Sequence, residues 1–309
     1  MEGRVGDEDG TKTRCPDNAT ESQDGGGLVP DEARYDVSVA NGGDALPDGE
    51  GTPCNDPTSG SDALSCSDTG STRIVPWSLL DVAIASVLFV PAGVAGSIGL
   101  GLALAWLGIV EDRLMAGVLG SALLPSALVA AGWIFGVRRH GVSAAMLGFR
   151  RASLFETAWL PVVVLAIGLS VAMVYALIVK ALGIDILLPE QNLDELASFD
   201  GLARVSVFAV VSILAPLGEE VFFRAFLLTA LVAAIGRLRG MILSAAIFSV
   251  AHLGIGTLFP IFVLGMLLSW LYLRTGSIWP PFVAHAAQNA LALVALELPF
   301  DTPAALITI

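Results

Sequence analysis

Cysteine is nearly absent from this sequence: the 309 residues include three, Cys15, Cys54 and Cys66, all in the first quarter of the chain. An odd number at these spacings supports neither a disulfide framework nor a zinc knuckle. Charge is scarce as well, with Asp, Glu, Lys and Arg at 15% against 55% hydrophobic residues. That balance, with a mean hydropathy of +0.75, excludes an ordinary soluble domain. The start of the chain also lacks the basic residues, apolar stretch and small-residue cleavage site of a secretory signal.

The charge that is present is unevenly placed. Sixteen of the 29 acidic residues lie between Glu2 and Asp68, with four basic ones, Arg4, Lys12, Arg14 and Arg34. Nearly all of the net −13 therefore belongs to a segment rich in Gly, Asp, Ser, Thr and Pro. Such a composition cannot bury enough apolar surface to offset the entropy of ordering it, so residues 1–72 are expected to be a disordered acidic tail. A solubilising tail is the preferred reading over a partner-binding one. No nucleic-acid partner is expected.

From Trp77 onward, long apolar runs alternate with short polar breaks. About 20 apolar residues span the hydrocarbon core as a helix, and backbone in lipid must satisfy its own hydrogen bonds. Seven segments meet that description: 78–108, 114–136, 155–182, 205–235, 239–257, 259–274 and 278–298. The fold class is thus all-α, a polytopic membrane helix bundle of about seven helices. Six to eight remain open because Pro91, Pro125 and Pro216 can mark kinks or half-helices. The six tryptophans, Trp77, Trp106, Trp133, Trp159, Trp270 and Trp279, fall near segment ends, where an interfacial belt would put them. Four regions follow: the tail 1–72, three helices and an acidic loop over 73–204, four helices over 205–298, and a short tail 299–309.

Loop charge predicts an orientation. Arg138, Arg139, Arg150, Arg151, Arg237, Arg239 and Arg274 occupy one set of loops. The alternate set holds Glu111, Asp112, Arg113, Asp185, Glu190, Asp194, Glu195, Asp200 and Arg204. The positive-inside rule then places the protein in the cell membrane with its N-terminal tail in the cytoplasm and its C-terminus outside.

The fourth segment carries charge at its middle, in Pro216-Leu217-Gly218-Glu219-Glu220-Val221-Phe222-Phe223-Arg224. Each such charge costs roughly 2.5–3.5 kcal/mol on insertion scales. Glu220 and Arg224, four apart on one helical face, are placed for an ion pair. Glu219 is rotated about 100° from Glu220 and is left to point elsewhere. A packing pair explains Glu220 and Arg224 but leaves Glu219 without a role. The fifth segment ends Phe248-Ser249-Val250-Ala251-His252, and the seventh contains His285-Ala286-Ala287-Gln288-Asn289. Measured from the basic-loop ends at ~1.5 Å per residue, His285 lies about 10 Å deep, Asn289 about 16 Å, His252 about 20 Å and Glu219 about 25 Å. With slack from Pro216, all four are expected to reach one cavity. That set suits water activation by a desolvated carboxylate, with histidines to orient and an amide for an oxyanion. No serine or cysteine is paired with them as a nucleophile.

Three pieces, EEVFFR, FSVAH and HAAQN, stand in this order on successive hydrophobic segments. Together they resemble the CAAX-processing and bacteriocin-processing (CPBP) membrane protein family, which includes the type II CAAX prenyl endopeptidases. The clear resemblance covers about 205–295. Residues 77–160 are similar only in general character, including Leu147-Gly148-Phe149-Arg150 before a membrane segment. The resemblance implies an intramembrane endopeptidase acting on a peptide or lipidated protein substrate, CAAX-type or bacteriocin-like, in the lipid bilayer. It implies that Glu219 activates water and that Glu220 and Arg224 support the site. It gives His252 and His285 the role of completing the site, Asn289 that of stabilising the oxyanion, and Phe248 that of packing at its wall. Metal dependence is open: Glu219, His252 and His285 with a water would make a tetrahedral zinc site. That ligand set would leave Glu220 as the base and break its pairing with Arg224. A metal-free Glu/His mechanism is the preferred expectation.

Two other classes compete. Intramembrane carboxylates and histidines also mark transporters and proton relays, although the motifs have no echo in the first half of the chain. A non-catalytic immunity or scaffold protein would keep the same residues for packing alone.

Overall fold

The computed structural model describes residues 75–188 and 199–295. The acidic tail with its cysteines, the loop acids Glu190, Asp194 and Glu195, and the 299–309 tail lie outside the described residues. Seven helices account for the seven apolar segments: α1 Leu79–Trp106, α2 Arg113–Arg138, α3 Leu154–Leu182, α4 Gly201–Ile235, α5 Arg237–Ala251, α6 Leu258–Thr275 and α7 Trp279–Ala295. Among the described residues there is no strand. Among the described residues, five helices, α1 to α4 and α6, are long and apolar enough to cross a membrane. Helices α5 and α7 are shorter, at 15 and 17 residues. The chain is an all-α integral membrane protein.

Helix starts follow local capping chemistry. Ser78 and Asp81 exchange hydrogen bonds at the start of α1, Asp81 N–H to Ser78 Oγ at 3.3 Å and Ser78 N–H to Asp81 Oδ2 at 2.9 Å. Ser153 and Glu156 repeat this capping box at α3, and Asp112 Oδ1 accepts from Met115 N–H at α2. Each cap satisfies amide donors that have no partner in the first turn, a contribution of about 1 kcal/mol.

The interior of two helices departs from the regular α form. Helix α2 breaks at Ala122 and ends in a π-helical stretch, Gly132–Arg138. Helix α4 contains two, Ala209–Leu214 and Glu220–Leu228, separated by the short α-turn Ala215–Glu219 that carries Pro216. A π-turn widens the helix and is found disproportionately at functional sites.

Packing centres on the second half of α4, where every residue from Glu220 to Val232 is buried. The start of α1 (Trp77, Val82, Ala85), the end of α2 (Leu128, Ala131, Phe135) and residues of α5 and α6 (Phe248, Tyr272) close around it. Helix α1 is otherwise apolar yet largely unburied, with Val87 72% and Leu102 66% exposed, as expected of a face turned to lipid. Trp77 corrects the aromatic-belt reading. It is 3% exposed, and its indole N–H donates to the Phe226 carbonyl at 3.0 Å. Trp106 and Trp159, by contrast, are 85% and 63% exposed.

Candidate active site

The polar residues singled out above come from α4, the end of α5 and α7. Glu220 lies at the centre, with no exposed surface. Its Oε1 forms an ion pair with Arg224, 3.0 Å from Nη1, and accepts a hydrogen bond from His285 Nδ1 at 2.8 Å. The Arg224 guanidinium carbon lies 3.9 Å from the centroid of the Phe248 ring, a cation–π contact made stronger by desolvation. A buried carboxylate is thereby neutralised by the arginine one turn along, and it holds an imidazole from another helix.

That hydrogen bond fixes the chemistry of His285. With Nδ1–H donated to a carboxylate, a neutral imidazole would present its lone pair at Nε2. Nε2 faces Glu219 Oε2 at 3.6 Å, just beyond direct hydrogen-bond reach. The Glu219 side chain keeps 23% of its surface exposed while its neighbour keeps none. Adjacent glutamates thus occupy different environments, one sealed and paired, the other reachable.

His252 caps the C-terminal end of α5 and is exposed; its Nδ1–H donates to the Phe248 carbonyl at 2.8 Å. The Phe248 ring meets both imidazoles edge-on, with centroids 4.7 Å from His252 and 5.8 Å from His285. Phe248 therefore contacts both histidines as well as supporting Arg224. Among the described residues, no three His, Cys, Asp or Glu side chains are grouped so as to hold a metal ion. Glu219, His252 and His285 do not form a ligand set in this conformation.

Asn289 has a local task. Its amide donates to the Val211 carbonyl at 2.9 Å. Val211 lies in the first π-stretch of α4, where Ala215 N–H reaches back to Val210. The same register would pair Val211 with residue 216, which is proline and has no N–H. Asn289 supplies the missing donor and keeps its second amide hydrogen. The wide spread of depths calculated from straight helices is corrected here: Glu219 and His285 were separated by about 15 Å in that estimate, yet their side chains face each other. A constant rise per residue does not hold through the π-turns of α4.

Sequence reasoning gave no role to Gln288. Gln288 is fully buried one turn after His285. Its place within HAAQN was the available signal.

The fold and this cluster define a class, a helical membrane protein with a buried Glu–Arg–His centre beside an accessible glutamate. Residues 201–291 match the family described as "Type II CAAX prenyl endopeptidase Rce1-like". The resemblance drawn from the three motifs is borne out over that segment. The chain is also 29% identical over 99 residues to a Bacillus subtilis (strain 168) protein named "Putative membrane peptidase YdiL". That match covers 32% of this chain and 41% of the relative, so it spans about two fifths of that protein's length. No solved structure matches the chain.

Proposed function

We propose that this protein is an intramembrane endopeptidase that hydrolyses a peptide bond of a membrane-associated substrate with water activated by Glu219. The observation that carries the reading is the division of labour between adjacent glutamates. Glu220 is consumed by Arg224 and His285, and Glu219 faces the free nitrogen of that same histidine at 3.6 Å.

A water between Glu219 and His285 Nε2 donates one hydrogen to each. Glu219 takes its proton as the water oxygen attacks the peptide carbonyl, and returns it to the departing amine. His252 has Nδ1–H engaged by main chain, so its Nε2 offers a second acceptor at the site margin. The spare amide hydrogen of Asn289 supports the oxyanion. A site shielded from bulk water strengthens each of these interactions. The family match at 201–291 favours a CAAX-type lipidated substrate, with a bacteriocin-like peptide as the related alternative. The cell membrane, with the basic loops on the cytoplasmic face, is the location that goes with this reading.

The deciding experiment compares wild type and Glu219→Gln, reconstituted in liposomes with prenylated CAAX peptides and bacteriocin-like precursors. Loss of a general base predicts a fall of roughly 10²–10⁴-fold in turnover, with thermal unfolding unchanged. Full cleavage by Glu219→Gln would refute the mechanism. pH-dependent solute flux in the same liposomes, without cleavage, would replace it with a transporter.

A further inference from the structure

Helix α7 must be held at one rotation for His285 to reach Glu220. A turn of one residue moves a side chain about 100° around the axis and breaks the 2.8 Å contact. What sets that rotation starts outside the catalytic motifs, in Leu147-Gly148-Phe149-Arg150. This stretch runs into α3 and packs on the turn between α6 and α7. Four hydrogen bonds join the two: Ile278 N–H to Gly148 O at 2.9 Å, Arg150 Nε–H to Gly276 O at 2.6 Å, Arg150 Nη2–H to Thr275 O at 3.1 Å, and Ser277 Oγ–H to Arg150 O at 2.7 Å.

Each partner suits its position. The last carbonyls of a helix have no donor within it and carry partial negative charge, so a guanidinium there is favourable. Arg150 binds two of them at the end of α6. Ser277, fully buried, donates to Arg150 O and accepts Trp279 N–H at 3.3 Å, so one hydroxyl ties the loop to the first residue of α7. Gly148 holds φ at +84°, and a Cβ there would stand 2.9 Å from the Tyr272 ring. The loop can approach this closely only with glycine. Phe149 completes the contact edge-on against Trp279, centroids 6.2 Å apart.

We infer that Arg150 and Ser277 are positioning residues for His285, acting through the first turn of α7. They touch none of the reacting groups; from Trp279 to His285 is six residues, about 9 Å along the axis. The consequence for turnover rests on the peptidase reading above, while the geometry of His285 is measured without it.

The chain has three histidines, so protein labelled with ¹⁵N-histidine gives a spectrum simple enough to follow His285 by itself. In wild type, the proton on His285 Nδ1, donated to Glu220, resonates far downfield and exchanges slowly. Arg150→Ala and Ser277→Ala remove or shift that signal and leave His252 in place. Turnover falls by ~10²-fold, the scale of an ångström misplacement, with KM unchanged. Arg150→Lys and Ser277→Thr keep a donor at each position and recover part of both signal and rate. An unmoved His285 signal in both alanine variants overturns the inference. So does a His252 signal that collapses along with it, because the effect is then general unfolding. A wild type that cleaves nothing, with His285 still dependent on Arg150, upholds the positioning and removes the peptidase reading alone.

Discussion

At the scale of the residue, the Glu220–Arg224 pair separates stability from chemistry. Both side chains are at most 1% exposed, and Glu220 Oε2 has no hydrogen-bond partner among the described residues. Arg224→Ala leaves a buried carboxylate supported only by His285, and should cost about 3–5 kcal/mol, read as a lower unfolding midpoint in detergent. Replacing both charges, Glu220→Gln with Arg224→Met, should restore much of that stability, since a neutral buried pair avoids desolvation. The double variant should still be inactive, because a glutamine amide holds His285 without its charge. An active double variant would show that the carboxylate is needed only for packing. Spacing in the sequence was enough to read this ion pair, and to see that Glu219 differs from Glu220. It could not show that Glu220 also holds His285. That contact joins residues 65 apart in the chain, on helices whose rotation is set by packing.

At the scale of the element, the helices were legible and their irregularities were not. Apolar runs located all seven helices because lipid leaves the backbone no alternative. Periodicity carries no mark of a π-turn, which arises where packing and a proline displace the hydrogen-bond register. These turns leave carbonyls for side chains to satisfy. In the Glu220–Leu228 stretch, Ser244 donates to Phe223 O, Thr229 to Ala225 O, and Trp77 to Phe226 O. Trp77→Phe keeps the ring and removes the donor, so it should cost about 1–3 kcal/mol in thermal unfolding. Asn289→Leu should incur a similar cost at Val211 in addition to any loss of turnover, and an unchanged midpoint would contradict the role assigned to the Val211 bond. Gly218 shows how closely α4 approaches α2 beside the site. A Cβ at this position would lie 2.6 Å from the Pro125 backbone. Gly218→Ala should therefore destabilise by about 1–3 kcal/mol through overpacking and displace Glu219 from His285.

At the scale of the whole molecule, contacts gather the basic loops at one end. Arg139 pairs with Asp81 at the start of α1 at 3.2 Å, Arg274 lies 4.0 Å from Glu156 at the start of α3, and Arg150 caps the end of α6. The Trp77–Phe226 bond brings the later part of α4, which leads to Arg237 and Arg239, level with the start of α1. Glu220 stands six residues before Phe226 and closer along α4 to Ile235 than to Gly201, so the site lies nearer this basic end than the acidic one. In the orientation proposed above that end faces the cytoplasm, which would bring substrate in from the cytoplasmic side. The native thiols provide a direct test. Cys15, Cys54 and Cys66 all precede α1, which starts at the basic end. A membrane-impermeant maleimide should leave them unlabelled in intact cells and label them once the membrane is opened. With those three changed to serine, a cysteine at Ile184, which is 39% exposed beyond α3 at the opposite end, should be labelled without opening the membrane. The reverse pattern would invert the orientation and require a substrate delivered from outside the cell.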